Sequence, residues 1–389
     1  MQVLEFYCPG TLDNATGLRL DFHEFLIDVN TVASPQHPYR GLDDRAFWSR
    51  SVANGADVVL PELFCPKFQL DPQDRIATAG SCFAHHIGRY LGRMGLSMID
   101  LEPAPLGISA GMAEAHGYGL YSARYGNKYT TRQLRRLVKE ATGERTVPPE
   151  EICWERGGRW WDALRPNVEP QGWDSPEEIA WHRKHHIEKV GQLLKEMDVF
   201  IFTLGLTEYW TSVDESIAYP LAPGIIAGSF DAQCHQFRQL SQGEVVQDFL
   251  AVMDALKRWR SERPLRVFLT VSPVPLAATF SGRHVMAATM GSKATLLSAA
   301  LELAGSDPLI EYFPSFEIVA NPWFGTHSYA PDKRTVTPEA IEQVMQVWAR
   351  SFNLEILPSR PIDLKDRPAL ANRDAQCEEL LTDIFSRQR

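Results

Sequence analysis

The stretch "IATAGSCFAHHIGRYL", residues 76–91, opens as a buried strand, passes through Gly80, Ser81 and Cys82, and continues with the spacing of a helix. Ile87, Tyr90, Leu91 and Met94 mark one face of that helix. A serine at such a corner has its hydroxyl at the carboxyl edge of a sheet, beside the N–H groups and the positive dipole end of the helix. Two roles suit it. The hydroxyl caps the helix, as serine often does, or it attacks a carbonyl carbon while the N–H groups hold the oxyanion. Gly80 is expected to let the chain turn sharply and to let substrate approach. Cys82 is a further candidate nucleophile, but it lies about 100° around the helix from Ser81 and is expected to face inward.

Working outward, "DVFIFTLG" (198–205), "LRVFLTVSPV" (265–274) and "IEYFPSFEIV" (310–319) have the β-branched and aromatic density of buried strands. Helical patterns lie between them. "SPEEIAWHRKHHIEKVGQLLKEMD" has Ser175 as N-cap, Pro176 at the first helical position and acids in the first turn. The alternation predicts an α/β fold: a doubly wound, mostly parallel sheet with helices on both faces. Residues 1–70, rich in Pro, Asp and aromatics, are expected to form an N-terminal arm packed on a core spanning 71–355, with 356–389 as a C-terminal tail. Two long insertions, at about 102–174 and 211–240, are expected to be irregular and to wall the ligand site, because ligands of open parallel sheets sit outside the carboxyl ends of the strands.

Composition excludes several classes. The 389 residues carry 39 Lys and Arg against 49 Asp and Glu, for a net charge of −10, and no basic block stands out, which argues against a nucleic-acid partner. No run reaches the roughly 18 apolar residues of a membrane span, and the first residues lack a signal-peptide pattern, so a cytoplasmic location is expected. The cysteines at 8, 65, 82, 153, 234 and 377 include no C-x-x-C pair, so no zinc site and no disulfide framework is expected. His182, His185 and His186 could share a helix face, yet no matching ligand accompanies them and no metal is expected. No glycine pattern marks a nucleotide cofactor.

Two further strand ends deliver polar groups to the same rim. "FTLGLTEYW" offers Gly205, Thr207 and Glu208; "LTVSPVP" ends near Ser272, with Arg283 and His284 shortly after. At this point "GSCFA" (80–84), "HIGRYL", "FTLGLTEYW", "LTVSPVP", "EYFPSFEI" and the upstream "HPYRGLDDRAFW" together resemble the GSCFA family over about residues 35–350, a branch similar to the SGNH (GDSL-like) esterases and acyltransferases.

The resemblance implies an SGNH-hydrolase-like fold with Ser81 as nucleophile, an oxyanion held by the N–H of Ser81, a glycine N–H and an amide side chain, and a base from a late Asp-x-x-His; it also implies a part in polysaccharide biosynthesis. Gly205 matches the family's glycine, Thr207 stands where SGNH enzymes have Asn, and Gly126 and Asn127 of "RYGNKYT" are the nearest candidates for the remaining donor. The late block departs from the pattern. "DKRTVTPEAI" has Arg334 and Thr337 where Asp and His are expected, and a threonine is no general base near neutral pH. His284 is therefore the expected base, with His327 of "WFGTHSY" as the alternative; His85 and His86 are expected to pack or orient, and Glu208 to orient the base or hold a substrate hydroxyl.

The expected function is serine-dependent O-acyl ester chemistry, hydrolysis or transfer, on a small-molecule or carbohydrate ester. Trp160, Trp161, Trp173, Tyr209 and Trp210 are offered as sugar platforms and Arg165 as a grip for a polar group. No cofactor is expected beyond an acyl donor in the transferase case, and the oligomeric state is not legible. The alternative is a non-catalytic carbohydrate-binding or scaffold protein that keeps the fold and has lost the base.

Overall fold

Between Arg75 and Ser81 the chain carries no charged side chain, and every residue from Ile76 to Gly80 is buried, as a strand covered on both faces requires. In the computed structural model, which describes residues 37–53, 62–321 and 328–358, that run is the first of the strands. In chain order these are β1 (Arg75–Gly80), β2 (Ser97–Met98), β3 (Cys153–Arg156), β4 (Arg159–Asp162), β5 (Val199–Leu204), β6 (Glu208–Ser212), β7 (Ala218–Tyr219), β8 (His235–Gln239), β9 (Arg266–Val271) and β10 (Ile310–Phe313). The helices are α1 (Trp48–Ser51), α2 (Phe83–Arg93), α3 (Ala110–Ala115), α4 (Thr131–Ala141), α5 (Pro176–Glu196), α6 (Gln242–Trp259), α7 (Val285–Ser306), α8 (Ser315–Ala320) and α9 (Pro338–Ser351).

The central sheet is five-stranded in the order β10-β9-β5-β1-β2, and every pairing in it is parallel. Alternate strand residues feed two cores. Phe200, Phe202 and Leu204 of β5 join Val267, Leu269 and Val271 of β9 against α4, α5, α6 and α7. Val199, Ile201 and Phe268 face the other way, onto α2, α8 and α9 around the fully buried Trp348. Helices thus cover both faces, which makes the fold α/β. Taken in chain order, the sheet strands run second-first-third-fourth-fifth, so connections leave β1 in opposite directions and the topological switch point falls at the carboxyl ends of β1 and β5.

Three expectations change. The strand over 310–319 stops at Phe313, since Pro314 has no N–H to extend the ladder, and α8 follows. The insertion over 102–174 is not irregular: it contains α3, α4, which is closed by a Thr130/Gln133 capping box, and the antiparallel β3–β4 hairpin. The stretch 211–240 belongs to an antiparallel sheet ordered β7-β6-β8.

Of residues 1–70, only 37–53 and 62–70 are described. Phe64 packs on Phe268, Phe313 and Trp348, and Lys67 donates to the Ile310 carbonyl at 2.8 Å, so this segment closes the core beside β9 and β10. Residues 359–389, most of the expected tail, lie outside the described residues. Among the described residues no helix is long and apolar enough to cross a membrane.

Candidate active site

The corner after β1 is built by close approach. Gly80 has φ +135°, and a Cβ placed on it would lie 2.3 Å from the Thr203 carbonyl oxygen, so β1 and β5 meet there without room for a side chain. The sequence reading of Gly80 as an opening for substrate is corrected: its vacant side faces the backbone of β5. Ser81 donates its N–H to the Thr203 carbonyl at 3.1 Å. Its side chain is held from the next strand end, where a Cβ on Gly205 would stand 3.0 Å from the Ser81 Cβ.

Ser81 does not cap the helix. Its hydroxyl is buried with no hydrogen-bond partner, and the N-cap of α2 is Cys82, half-buried, which makes no side-chain capping bond. Two more buried polar atoms nearby are also without partners, Thr203 Oγ1 beside Gly80 in the β1–β5 register and His85 Nδ1 in the first turn of α2. Native interiors leave few such groups, and each calls for a reason.

A loop of the first insertion closes the corner from outside. Lys128 donates its N–H to the Gly80 carbonyl at 2.8 Å, and the Tyr121 hydroxyl reaches the Ser81 carbonyl at 3.2 Å and Asn127 Oδ1 at 2.6 Å. Asn127 is therefore brought to Ser81, with Gly126 at φ +65° turning the chain toward it.

The expected backbone donor fails on geometry. The N–H groups of Gly205 and Leu206 both donate to the Tyr129 carbonyl, at 2.9 and 3.0 Å, and the Ser81 N–H is taken by Thr203. The first turn of α2 is occupied as well, Ala84 donating its N–H to the Ser81 carbonyl at 2.9 Å and His85 to the Cys82 carbonyl at 3.2 Å, so what this corner presents to an oxyanion is the positive dipole end of α2. Thr207 is fully buried, its N–H donates to Ser292 Oγ at 3.0 Å and its hydroxyl sits 3.1 Å from the same oxygen, so α7 fixes it. Lys293, one residue on and 1% exposed, donates to the Gly205 carbonyl at 2.7 Å. Sequence reasoning passed over Lys293, although a lysine within the apolar "GSKATLLSAAL" was the available signal.

The other predicted residues separate. His284 is the exposed N-cap of α7, and its Nδ1 accepts from the Met286 N–H at 3.2 Å. His327 lies outside the described residues. Thr337 is the N-cap of α9, accepting from the Ala340 N–H.

Glu208 is buried, which raises its carboxyl above the usual range against a hydrogen bond from the Thr279 hydroxyl, which stands 2.7 and 3.0 Å from the two carboxylate oxygens. Arg165 is no grip for substrate: its Nε donates to Asp162 at 2.7 Å inside a buried network with Arg183 and Glu140. His182 stacks on Trp173 and His186 is buried against Glu102, so the three helix histidines do not form a cluster. Of the proposed platforms, Tyr209 is buried, and Trp210 stands among Phe230, Phe237 and Phe280.

Burial, with His86 and Arg89 adding to it, pushes the His85 imidazole down to about 3. The unfolded chain takes up this proton near pH 6.5, the folded chain only near 3, so stability is complete above 6.5 and falls as pH drops between the two. Wild type should lose about 1 kcal/mol per pH unit more than His85→Gln between pH 6 and pH 4. Urea unfolding at three pH values checks this, and parallel slopes would remove the buried neutral histidine from the account.

No curated protein and no solved structure matches the chain. The family model of the GSCFA family matches residues 75–348, from the first residue of β1 into α9, and the chain belongs to that family.

Proposed function

We propose that the protein is a serine-dependent O-acyl esterase or acyltransferase of the SGNH-like type, with Ser81 as nucleophile. One observation carries the reading: a buried serine hydroxyl, free of any capping duty, stands at the switch point where the strand order of the parallel sheet reverses. In the proposed step Ser81 Oγ bonds to the ester carbonyl carbon, its proton passes to a histidine, and the departing alkoxide takes that proton as its bond to the acyl carbon breaks. Water or a second hydroxyl then takes the acyl group from Ser81. With the ring of His284 engaged in a cap, the base in this reading is His327. Ser81 is only 2% exposed, so an acyl donor reaches it after neighbouring groups shift. Trp210, Phe230, Phe237 and Phe280, the last 67% exposed, form an aromatic surface on the sheet that begins at Glu208, suited to the apolar face of a sugar.

A second reading rests on Thr337, which caps α9 where the family resemblance places a histidine: a carbohydrate-binding or scaffold protein with the same corner and no base. Intact mass after incubation with an activated acyl ester separates the two. The enzyme reading expects one acyl adduct that is absent in Ser81→Ala, retained in Cys82→Ala and His284→Ala, and much slower to form in His327→Ala. No adduct, together with no turnover on acetylated sugars, selects the binding protein.

A further inference from the structure

Away from Ser81, α4, α5 and the chain around β7 enclose a small cavity of about 30 Å³, and a surface groove of about 290 Å³ shares Glu140, Arg145, Val147 and Arg183 with it. The cavity is lined by five cationic side chains, Lys128, Arg136, Arg145, Arg165 and Arg183, and by one carboxylate, Glu140. Such an excess is unexpected in a chain of net charge −10. Part of it is neutralised: Arg183 pairs with Glu140 and Asp162, and Arg165 with Asp162. His186 adds no charge, because burial and the nearby Arg165 push its imidazole down to about 4 against the opposing pull of Glu102.

Arg136 and Arg145 have only more distant carboxylates, Asp248 for the first and Asp214 for the second. Neither forms an ion pair among the described residues; each is held by a backbone carbonyl, Arg136 by that of Glu215 at 2.6 Å and Arg145 by that of Ser216. The Arg136 Nε is buried with no partner at all. Asp248 is already shared by Arg132 and Arg135, at 2.6 and 2.8 Å, and Arg132 also stands 3.9 Å from Glu215 and 4.0 Å from Glu244. Two fixed guanidiniums with open donors, next to a groove walled by Val147, Ile152 and Ile187, match a dianionic head joined to a small organic body.

We propose that this cavity and groove form a binding site for a phosphorylated small molecule, its phosphate held by Arg136 and Arg145. The site is independent of the ester chemistry assigned to Ser81. Inorganic phosphate is the first probe, followed by thermal unfolding against chloride at equal ionic strength and by phosphorus-31 line broadening. The expected result is a saturable rise in melting temperature with phosphate, its apparent affinity reduced at least tenfold in Arg136→Gln and in Arg145→Gln but unchanged in Lys257→Gln on the exposed side of α6. Arg145→Lys, which keeps the charge and loses the fork, should retain folding and fall between. A non-saturating rise, or a response and line broadening that survive in both glutamine variants, overturns the proposal.

Discussion

Ser81→Ala should abolish acyl transfer, by at least about 10³-fold, while leaving the protein as stable as wild type or slightly more so. The two halves have one cause. A hydroxyl that accepted from the helix would stabilise the fold, and removing it would cost about 1 kcal/mol. The Ser81 hydroxyl makes no hydrogen bond and is shut away from water, so the folded state bears the cost of desolvating it without return. Alanine keeps the Cβ that packs on Gly205 and drops only the unpartnered oxygen. Turnover on an acetylated sugar and urea melts of the same two proteins test this. Loss of stability without loss of turnover would return Ser81 to a structural role and move the chemistry elsewhere.

The pairing of activity with a stability cost also fits the neighbouring atoms. Thr203 Oγ1, at the end of β5, and His85 Nδ1, at the start of α2, are also buried without partners, and each such deficit calls for a reason.

The corner itself was legible because it is local: strand period, Gly-Ser-Cys and helix period follow one another within 16 residues, and Ser175-Pro176 announces α5 in the same way. What the sequence hid depends on separation along the chain. Tyr121 meets Ser81 across 40 residues and Lys293 meets Gly205 across 88, and no periodicity encodes such meetings. The N–H of Gly205 looked available in "FTLGLTE", since only the fold shows that Tyr129 takes it. By contrast α4 could have been found, for Thr130 and Gln133 stand at capping-box spacing in "TTRQLRRLVKEA"; the glycine and tryptophan content of the surrounding insertion masked it. The β6–β8 sheet was missed for a different reason: β7 is only two residues long, too short for a visible alternation.

The glycines on either side of Ser81 should respond in opposite ways, which gives the second large effect. Gly80→Ala places a methyl 2.3 Å from the Thr203 carbonyl oxygen and 2.6 Å from its nitrogen, at a φ of +135° that alanine avoids. Thr203 cannot yield, because it is registered between Gly80 of β1 and Thr270 of β9 in the middle of the sheet. Backbone strain of about 1–3 kcal/mol and a comparable overpacking cost then fall on one residue, a large share of the roughly 5–15 kcal/mol that holds a domain together. Gly80→Ala is therefore expected to lose cooperative unfolding or to shift its urea midpoint by the equivalent of about 4 kcal/mol. Gly205→Ala meets Ser81 Cβ at 3.0 Å, the Tyr129 ring at 3.1 Å and the Tyr129 Cα at 3.3 Å, with no approach under 3 Å, so it should fold at a cost of about 1–2 kcal/mol. The methyl pushes on the nucleophile itself, and a small displacement of a reacting atom can cost about 10²-fold in rate. Gly80→Ala thus reads out the sheet and Gly205→Ala the chemistry; a Gly205→Ala protein with full turnover would place the reacting hydroxyl somewhere other than Ser81.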